Sequence, residues 1–357
     1  MMDASIGFSG VMEGRGAYNA NSARQASGGA VGLPLLEEAA AQIAIGDFDR
    51  PIVIADYGSS EGMNSLAPIS AAIGALRARV GPDRAIVVAH TDLPANDFST
   101  LFEVVDKAIG SYARNDSNVF PSAVGRSFYR SVLPPNYIDL GWSSYAAQWL
   151  SRAPTSIPDH FYIQRSTGDV RAAFARQAKE DWETFLSLRA RELRSGGRLV
   201  VVMPSLDTAG TSPVFPYFDS ANFVLADMVA DGAITQEERA RMLLTSYQRT
   251  PLETLAPFAN GAQFAGLNVE SSAFVPVADV AWAHYERDGD AEALAARRAG
   301  FFRVTFAPSL ASALTRNGDT DARKAFSDRL EAGLRQRLAD HLSPIGQVVA
   351  SLSLKKT

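Results

Sequence analysis

PIVIADYGSSEGMN, residues 51–64, is the stretch whose reading decides the fold. Its first half, PIVIADYG at 51–58, is a short β-branched run ending in glycine, the pattern of a strand buried on both faces. A helix-compatible stretch follows from Ser65 to Val80 and is closed by Gly81-Pro82. Outward from there, RAIVVAHTD at 84–92 reads as the next strand, and NVFPSAVG at 118–125 and NYIDLGWSS at 136–144 as two more, the first weakened by its internal proline. Apolar positions at 170, 174, 182, 185, 186 and 193 form a helical stripe that Gly196-Gly197 is expected to end, and RLVVVMP supplies a fifth strand. This alternation predicts an α/β fold, an open and mostly parallel sheet with helices on both faces.

From about residue 205 the texture changes. Prolines and aromatics cluster in PVFPYFDSANF at 213–223, and helix-like segments follow at 222–245 and 290–315. FAGLNVESSAFVPV at 264–277 and GQVVASLSL at 346–354 still read as strands, so helical material is inserted over a sheet that the chain rejoins late. The partition is residues 1–204 for the sheet domain, 205–320 for a mainly helical cap and 321–357 for a closing helix and strand. A total of 357 residues is more than one hydrophobic core commonly uses, which agrees with a second unit. There is no internal repeat.

Composition narrows the function classes. The absence of cysteine excludes disulfide scaffolding, thiolate nucleophiles and Cys-ligated metal. A formal net charge of −5 argues against a phosphate-backbone binder, so nucleic acid is not expected. No apolar run is long enough to span a bilayer, and Asp3 and Glu13 interrupt the opening residues where an export signal would be apolar; a cytoplasmic protein without membrane contact is expected. His90, His160, His284 and His341 lack metal or triad spacing and read as structural or surface residues. Met203, Met228 and Met242 read as core filler, and the charge runs near 189–194 and 323–337 as solvated helix faces.

The chemistry is concentrated at strand ends. The turn DYGSSEGMN at 56–64 is neither a dinucleotide fingerprint nor a phosphate loop, and alone it is equally an ordinary tight bend. Asp92 ends the next strand, where a carboxylate can accept two hydrogen bonds from a ribose diol. Alone, Asp92 reads as a turn or N-cap carboxylate ahead of LPANDF; together with the glycine turn it points to a nucleoside cofactor. In WSSYAAQWLSRAP at 142–154, a helix start would put Tyr145 and Trp149 on one face, either packed in the core or walling a pocket for an acceptor oxygen.

Five ordered blocks, MEGRGAYNANSARQ (12–25), DYGSSEGMN (56–64), TDLPANDFSTLF (91–102), SFYRSVLPP (127–135) and SSYAAQWLSRAP (143–154), resemble the signature blocks of the SABATH methyltransferases. Those enzymes transfer a methyl group from S-adenosylmethionine to a small acid or a ring nitrogen. The resemblance implies a Rossmann-like class I methyltransferase sheet with an α-helical cap over the active site, and a homodimer. It implies that Tyr18, Ser22, Asp56, Gly58 and Asn64 surround the methionine end of the cofactor, that Asp92 and Leu93 hold ribose and adenine, and that Ser127 and Phe128 flank the adenine. Gln25 and Trp149 are then the donors that hold the substrate carboxylate, with Tyr145, Gln148, Tyr217, Phe218, Phe302 and Thr305 walling the acceptor pocket.

The chain departs from the family at Glu13, at His90-Thr91 before Asp92, and at Gln148. ARMLLTSYQRTP at 240–251 carries no metal ligands where some members have them, so no metal is expected. The resulting expectation is a carboxyl methyltransferase acting on a small aromatic or apolar acid by in-line transfer, with positioning residues and no acid–base pair. The alternatives are N-methylation of a xanthine-like ring and a non-catalytic S-adenosylmethionine-binding protein; a nicotinamide dehydrogenase stands further off.

Overall fold

A computed structural model of the chain describes residues 13, 16, 19, 23–47 and 49–357. Tyr18 and Ser22 lie outside them. Seven strands form one sheet: β1 (Ile52–Tyr57), β2 (Ile86–Asp92), β3 (Val119–Gly125), β4 (Ile138–Ser144), β5 (Leu193–Ser205), β6 (Leu267–Val277) and β7 (Gln347–Lys356). Their spatial order is β3-β2-β1-β4-β5-β7-β6. Neighbours from β3 to β5 run parallel, and β7 is antiparallel to both β5 and β6. Every residue of β1 is buried, as its uninterrupted apolar run predicts for a strand covered on both faces. Pro121 sits in β3, the edge strand, where its missing N–H leaves no gap in a central ladder.

Helices cover both faces. α1 (Ala23–Gly29), α2 (Leu33–Gln42), α3 (Met63–Val80), α4 (Phe98–Lys107) and α5 (Tyr112–Asn115) precede β4, and α6 (Gly168–Glu192) leads into β5. Leu36, Ile69 and Leu101 from α2, α3 and α4 pack on Ile54, Val88 and Leu140 of the sheet, while Trp182 and Phe185 of α6 pack on Tyr57, Leu199 and Val201. The cap is α7 (Phe215–Ala230), α8 (Gln236–Arg241), α9 (Pro251–Leu255), α10 (Val280–Asp288) and α11 (Ala291–Ala311), followed by α12 (Thr320–Asp340). It owns a separate core built on Phe161, Phe218, Phe302 and Phe306. Phe326, Leu330 and Leu334 of α12 belong to that same core, although the sequence partition sets residue 321 onward apart from the cap.

Three local readings are corrected. Residues 145–149 are not helical: Tyr145 has φ +53°, and the segment pairs with a remote strand-like stretch through a bridge from Trp149 to Ser246. Gly196 and Gly197 do not end α6; the chain passes directly from Glu192 into β5, and Gly196, at φ +77°, lies within that strand. The charge run at 189–194 is not a solvated face, since Arg189 and Glu192 are 0% and 1% exposed. Among the described residues no helix is long and apolar enough to cross a membrane.

Candidate functional site

The carboxyl ends of β1, β2 and β4 lie side by side, the place where parallel α/β sheets bind ligands in a crevice. After β1 the chain turns through Gly58, whose N–H donates to the Thr91 carbonyl at 2.8 Å. Gly58 has φ +88°, and a Cβ there would stand 2.3 Å from the Ala146 methyl, so only glycine lets this turn approach the 145–149 segment. Asp92, at the end of β2, accepts from the Ser60 N–H through Oδ2 and from the Leu93 N–H through Oδ1, each at 2.7 Å. Each oxygen keeps lone-pair capacity, and Asp92 and Leu93 are both partly exposed to the crevice. Burial pushes the Asp92 carboxyl up to about 6; the two N–H donors oppose this and the Asp56 carboxylate adds to it.

Ser127 and Phe128 follow Arg126, whose N–H donates to the Asp92 carbonyl at 2.8 Å and ties their loop to the end of β2. Their loop is tied down from α6. Arg189 donates to the Phe128 and Arg130 carbonyls at 2.8 and 3.1 Å, and its ion-pair partner Glu192 accepts from the Val132 N–H at 2.8 Å. Glu192 also accepts from the Tyr57 hydroxyl at 3.0 Å. The residues that the sequence reading assigned to solvent thus hold the loop of Ser127 and Phe128 against the sheet.

Asp56 faces inward. Its Oδ2 accepts from the Ser65 hydroxyl at 2.6 Å and meets His90 Nδ1 at 2.9 Å, while His90 Nε2 lies 2.7 Å from the Tyr112 hydroxyl. His90 is therefore structural, as its isolation in the sequence implies, and these contacts engage one of the two Asp56 carboxylate oxygens. Asn64, one residue before Ser65, is partly exposed on the first turn of α3. Glu61 was missed by the sequence reading. It is 2% exposed, and its two oxygens accept from the Gly16 and Asn19 N–H groups at 2.8 and 3.1 Å, pinning the backbone on either side of the position of Tyr18.

Beside this crevice lies a cavity of about 60 Å³ between the sheet and the cap. Gln25 of α1, Tyr145, Gln148 and Trp149 line it from the sheet side, and Tyr217, Phe218 and Thr305 from the cap. Seven of the eight residues assigned to acceptor binding therefore converge. The eighth, Phe302, is 0% exposed and stands behind the wall, edge-on to Tyr217 and Phe218 at 5.6 and 6.1 Å. The Tyr217 hydroxyl is spent on the Arg298 carbonyl at 2.7 Å, so that residue offers its ring face. Burial pushes its phenol well above the ordinary range.

Gln25 Oε1, Gln148 Oε1, Gln248 Oε1 and Thr305 Oγ1 are buried without hydrogen-bond partners, and all four residues line this cavity. Buried polar atoms are nearly always satisfied, so such a group around one space marks a ligand site. A glutamine amide accepts with one atom and donates with the other, and a half-turn of its terminal bond exchanges them. The cavity can therefore present donors to a carboxylate. Ser246 and Gln248 line it through the long-range pairing of 145–149, which no local pattern reveals. Among the described residues no three His, Asp or Glu side chains gather as a metal site.

The sequence profile described as SAM dependent carboxyl methyltransferase matches residues 9–357. Methyltransferase FUS9 of Gibberella fujikuroi is 33% identical over 243 residues, 67% of this chain and 64% of its own length. Methyltransferase LUC1 of a Fusarium species is 32% identical over the same span and shares. The match thus covers just under two thirds of these fungal relatives. Salicylate carboxymethyltransferase of Clarkia breweri is 28% identical over 290 residues, 78% of each chain. In three dimensions, a loganic acid methyltransferase solved with SAH superposes with a TM-score of 0.74 at 19% identity, covering 97% of this chain and 98% of that one, which establishes the Rossmann-like class I methyltransferase fold. With the profile running through nearly the whole sequence, the chain belongs to the family of S-adenosylmethionine-dependent carboxyl methyltransferases.

Proposed function

We propose that this protein transfers the methyl group of S-adenosylmethionine to the carboxylate of a small aromatic or apolar acid, forming its methyl ester. The observation that carries the reading is the convergence of Gln25, Trp149 and Thr305 on one cavity walled by aromatic rings. The residues at the strand ends suit the cofactor: Gly58 lets the turn after β1 pack directly on Ala146, and Asp92 retains acceptor capacity for a ribose diol. Asp92 and Leu93 would hold the nucleoside, Ser127 and Phe128 the adenine, and Asp56, Gly58, Asn64 and the segment of Tyr18 and Ser22 the methionine end. When bound, S-adenosylmethionine supplies an electrophilic methyl group on sulfur.

The chain's own work is positional. A carboxylic acid with a pKa of about 4 to 5 is already ionised at pH 7, so no side chain need remove a proton. The Gln25 amide and the Trp149 indole N–H orient one carboxylate oxygen, and the rings of Phe218, Tyr162 and Phe306 keep water out. Orientation of this kind is worth up to about 7–11 kcal/mol in model reactions. The same family likeness extends the reading to a cytoplasmic homodimer, which light scattering at twice 38.3 kDa checks.

The direct test incubates the purified protein with methyl-labelled S-adenosylmethionine and benzoate, salicylate, cinnamate, indole-3-acetate, jasmonate and farnesoate. At least one labelled methyl ester is expected, and labelled product from none of them counts against the reading. Trp149→Ala should weaken acid binding by about tenfold or more, the loss of a hydrogen bond to a charged group, and leave S-adenosylhomocysteine affinity within about twofold. Equal loss of both in titration calorimetry refutes the role given to Trp149.

A further inference from the structure

A second cavity, of about 260 Å³, adjoins the acceptor cavity: Arg24, Tyr217, Phe301 and Gln347 line both. Its distinguishing feature is an excess of positive charge among the described residues that line it. Arg24 spends two donors on the Ile345 and Gly346 carbonyls, at 2.8 and 3.1 Å, and makes no ion pair among the described residues. Arg298, on α11, is 6% exposed. It donates through Nη2 to Asp279 Oδ2 at 2.6 Å, while its Nε and Nη1 are buried without partners. Among the described residues Asp279 is the one carboxylate lining the cavity, and it is already committed. Oδ2 also accepts from the Ile345 N–H at 2.9 Å, and Oδ1 from the Ala281 and Trp282 N–H groups at 3.1 and 3.2 Å.

Two inward guanidinium groups against one carboxylate leave a net positive charge, and Arg297 and His284, both exposed, line the same cavity. Buried charges are ordinarily paired, because an unpaired one sacrifices hydration without compensation. Desolvation lowers the Arg24 pKa from its ordinary value, and Tyr145, Tyr217 and Asp279 only partly offset it. Arg24 also directly precedes Gln25 on α1, so adjacent residues face the two adjoining spaces. Between the arginines the cavity wall is apolar, with Val280, Phe301 and Ile345.

We propose that the acceptor is a dicarboxylic acid: one carboxylate is held at Gln25 and Trp149 for methylation, an apolar spacer passes Tyr217 and Phe301, and the second carboxylate sits between Arg24 and Arg298. The product is the monomethyl ester. This rests on the acceptor cavity assigned above and adds to it the class of substrate. Arg298 contributes a guanidinium with two unengaged donors, a geometry that matches a carboxylate better than a lysine ammonium does.

The test compares α,ω-dicarboxylic acids of six to twelve carbons with monocarboxylic acids of the same length. kcat/KM is measured with labelled S-adenosylmethionine, and affinity by calorimetry on the protein saturated with S-adenosylhomocysteine. At an optimal length the diacid should exceed its monoacid by about tenfold or more in both, the worth of one charge-assisted contact. Arg298→Met should reduce that ratio to within about twofold, and Arg298→Lys should retain part of it. A diacid-to-monoacid ratio of one or less at every length in the wild-type protein overturns the proposal, whether or not the variants fold. So does a preference that survives in Arg298→Met. Absence of turnover with all acids counts against the methyl-transfer reading alone, since calorimetry still decides the second carboxylate site.

Discussion

Asp92 is the residue on which cofactor affinity should turn, and its environment sets a pH for it. Burial raises its carboxyl to about 6, above the ordinary aspartate range, so the ionised form is less favoured than in a solvated aspartate. A ribose diol donates to the carboxylate and binds that ionised form. Affinity is therefore full above the raised value and falls as pH drops through about 6. S-adenosylhomocysteine binding followed by calorimetry from pH 8 to 5 should weaken by about tenfold, consistent with losing a charge-assisted hydrogen bond. Asp92→Asn should bind more weakly at pH 8 and show little further loss on acidification. A flat wild-type profile contradicts the role. The position of Asp92 at the end of a strand beside a glycine turn is visible in the sequence. Glu61 and Arg24 are invisible there, since one is defined by backbone groups 42 to 45 residues away and the other by carbonyls 321 and 322 residues away.

At the scale of elements, strands were legible and their environment was not. β-branched runs such as IVIADY in β1 and QVVASLSL in β7 announce buried strands by composition alone. The segment 145–149 misleads because its apolar spacing suits a helix, whereas Tyr145 takes a left-handed conformation and the backbone finds its partners in residues 245–247. Periodicity cannot register a pairing a hundred residues away. The end of α6 misleads in the same way: Arg189 and Glu192 look like a solvated face, yet the loop of residues 128–133 closes over them.

That closure gives a prediction for the element. Glu192→Gln removes the carboxylate from beside the buried Arg189 guanidinium, and breaking a buried pair in this way costs about 3–5 kcal/mol. The loss should appear as a lower midpoint in urea unfolding. Protease cleavage after Arg126 and Arg130, the exposed arginines of that loop, should accelerate in the variant. Unchanged cleavage with lowered global stability would show that the pair supports α6 and not the loop.

Across the whole molecule, the cap and the sheet have separate hydrophobic cores, and the acceptor cavity lies where they meet. The residues proposed to hold the cofactor, Gly58, Asp92, Ser127 and Phe128, are all carried by strand ends of the sheet and their loops. Disturbing the cap from behind should therefore separate the two ligands. Phe302 is the position to use: it is fully buried, touches neither predicted ligand, and meets Phe161, Tyr217, Phe218 and Phe306 through ring contacts of 5.2 to 6.1 Å. Phe302→Ala leaves a cavity in that aromatic cluster and should cost about 3–5 kcal/mol of stability; Phe302→Leu, closer in volume, should cost less. Because Tyr217 and Phe218 lean on it, acid affinity should fall in Phe302→Ala. S-adenosylhomocysteine affinity, measured on the same folded samples below their unfolding temperature, should stay within about twofold of wild type. A parallel loss of both affinities would mean that the two cores act as one body, and the division between a cofactor-binding sheet and an acceptor-closing cap would have to be abandoned.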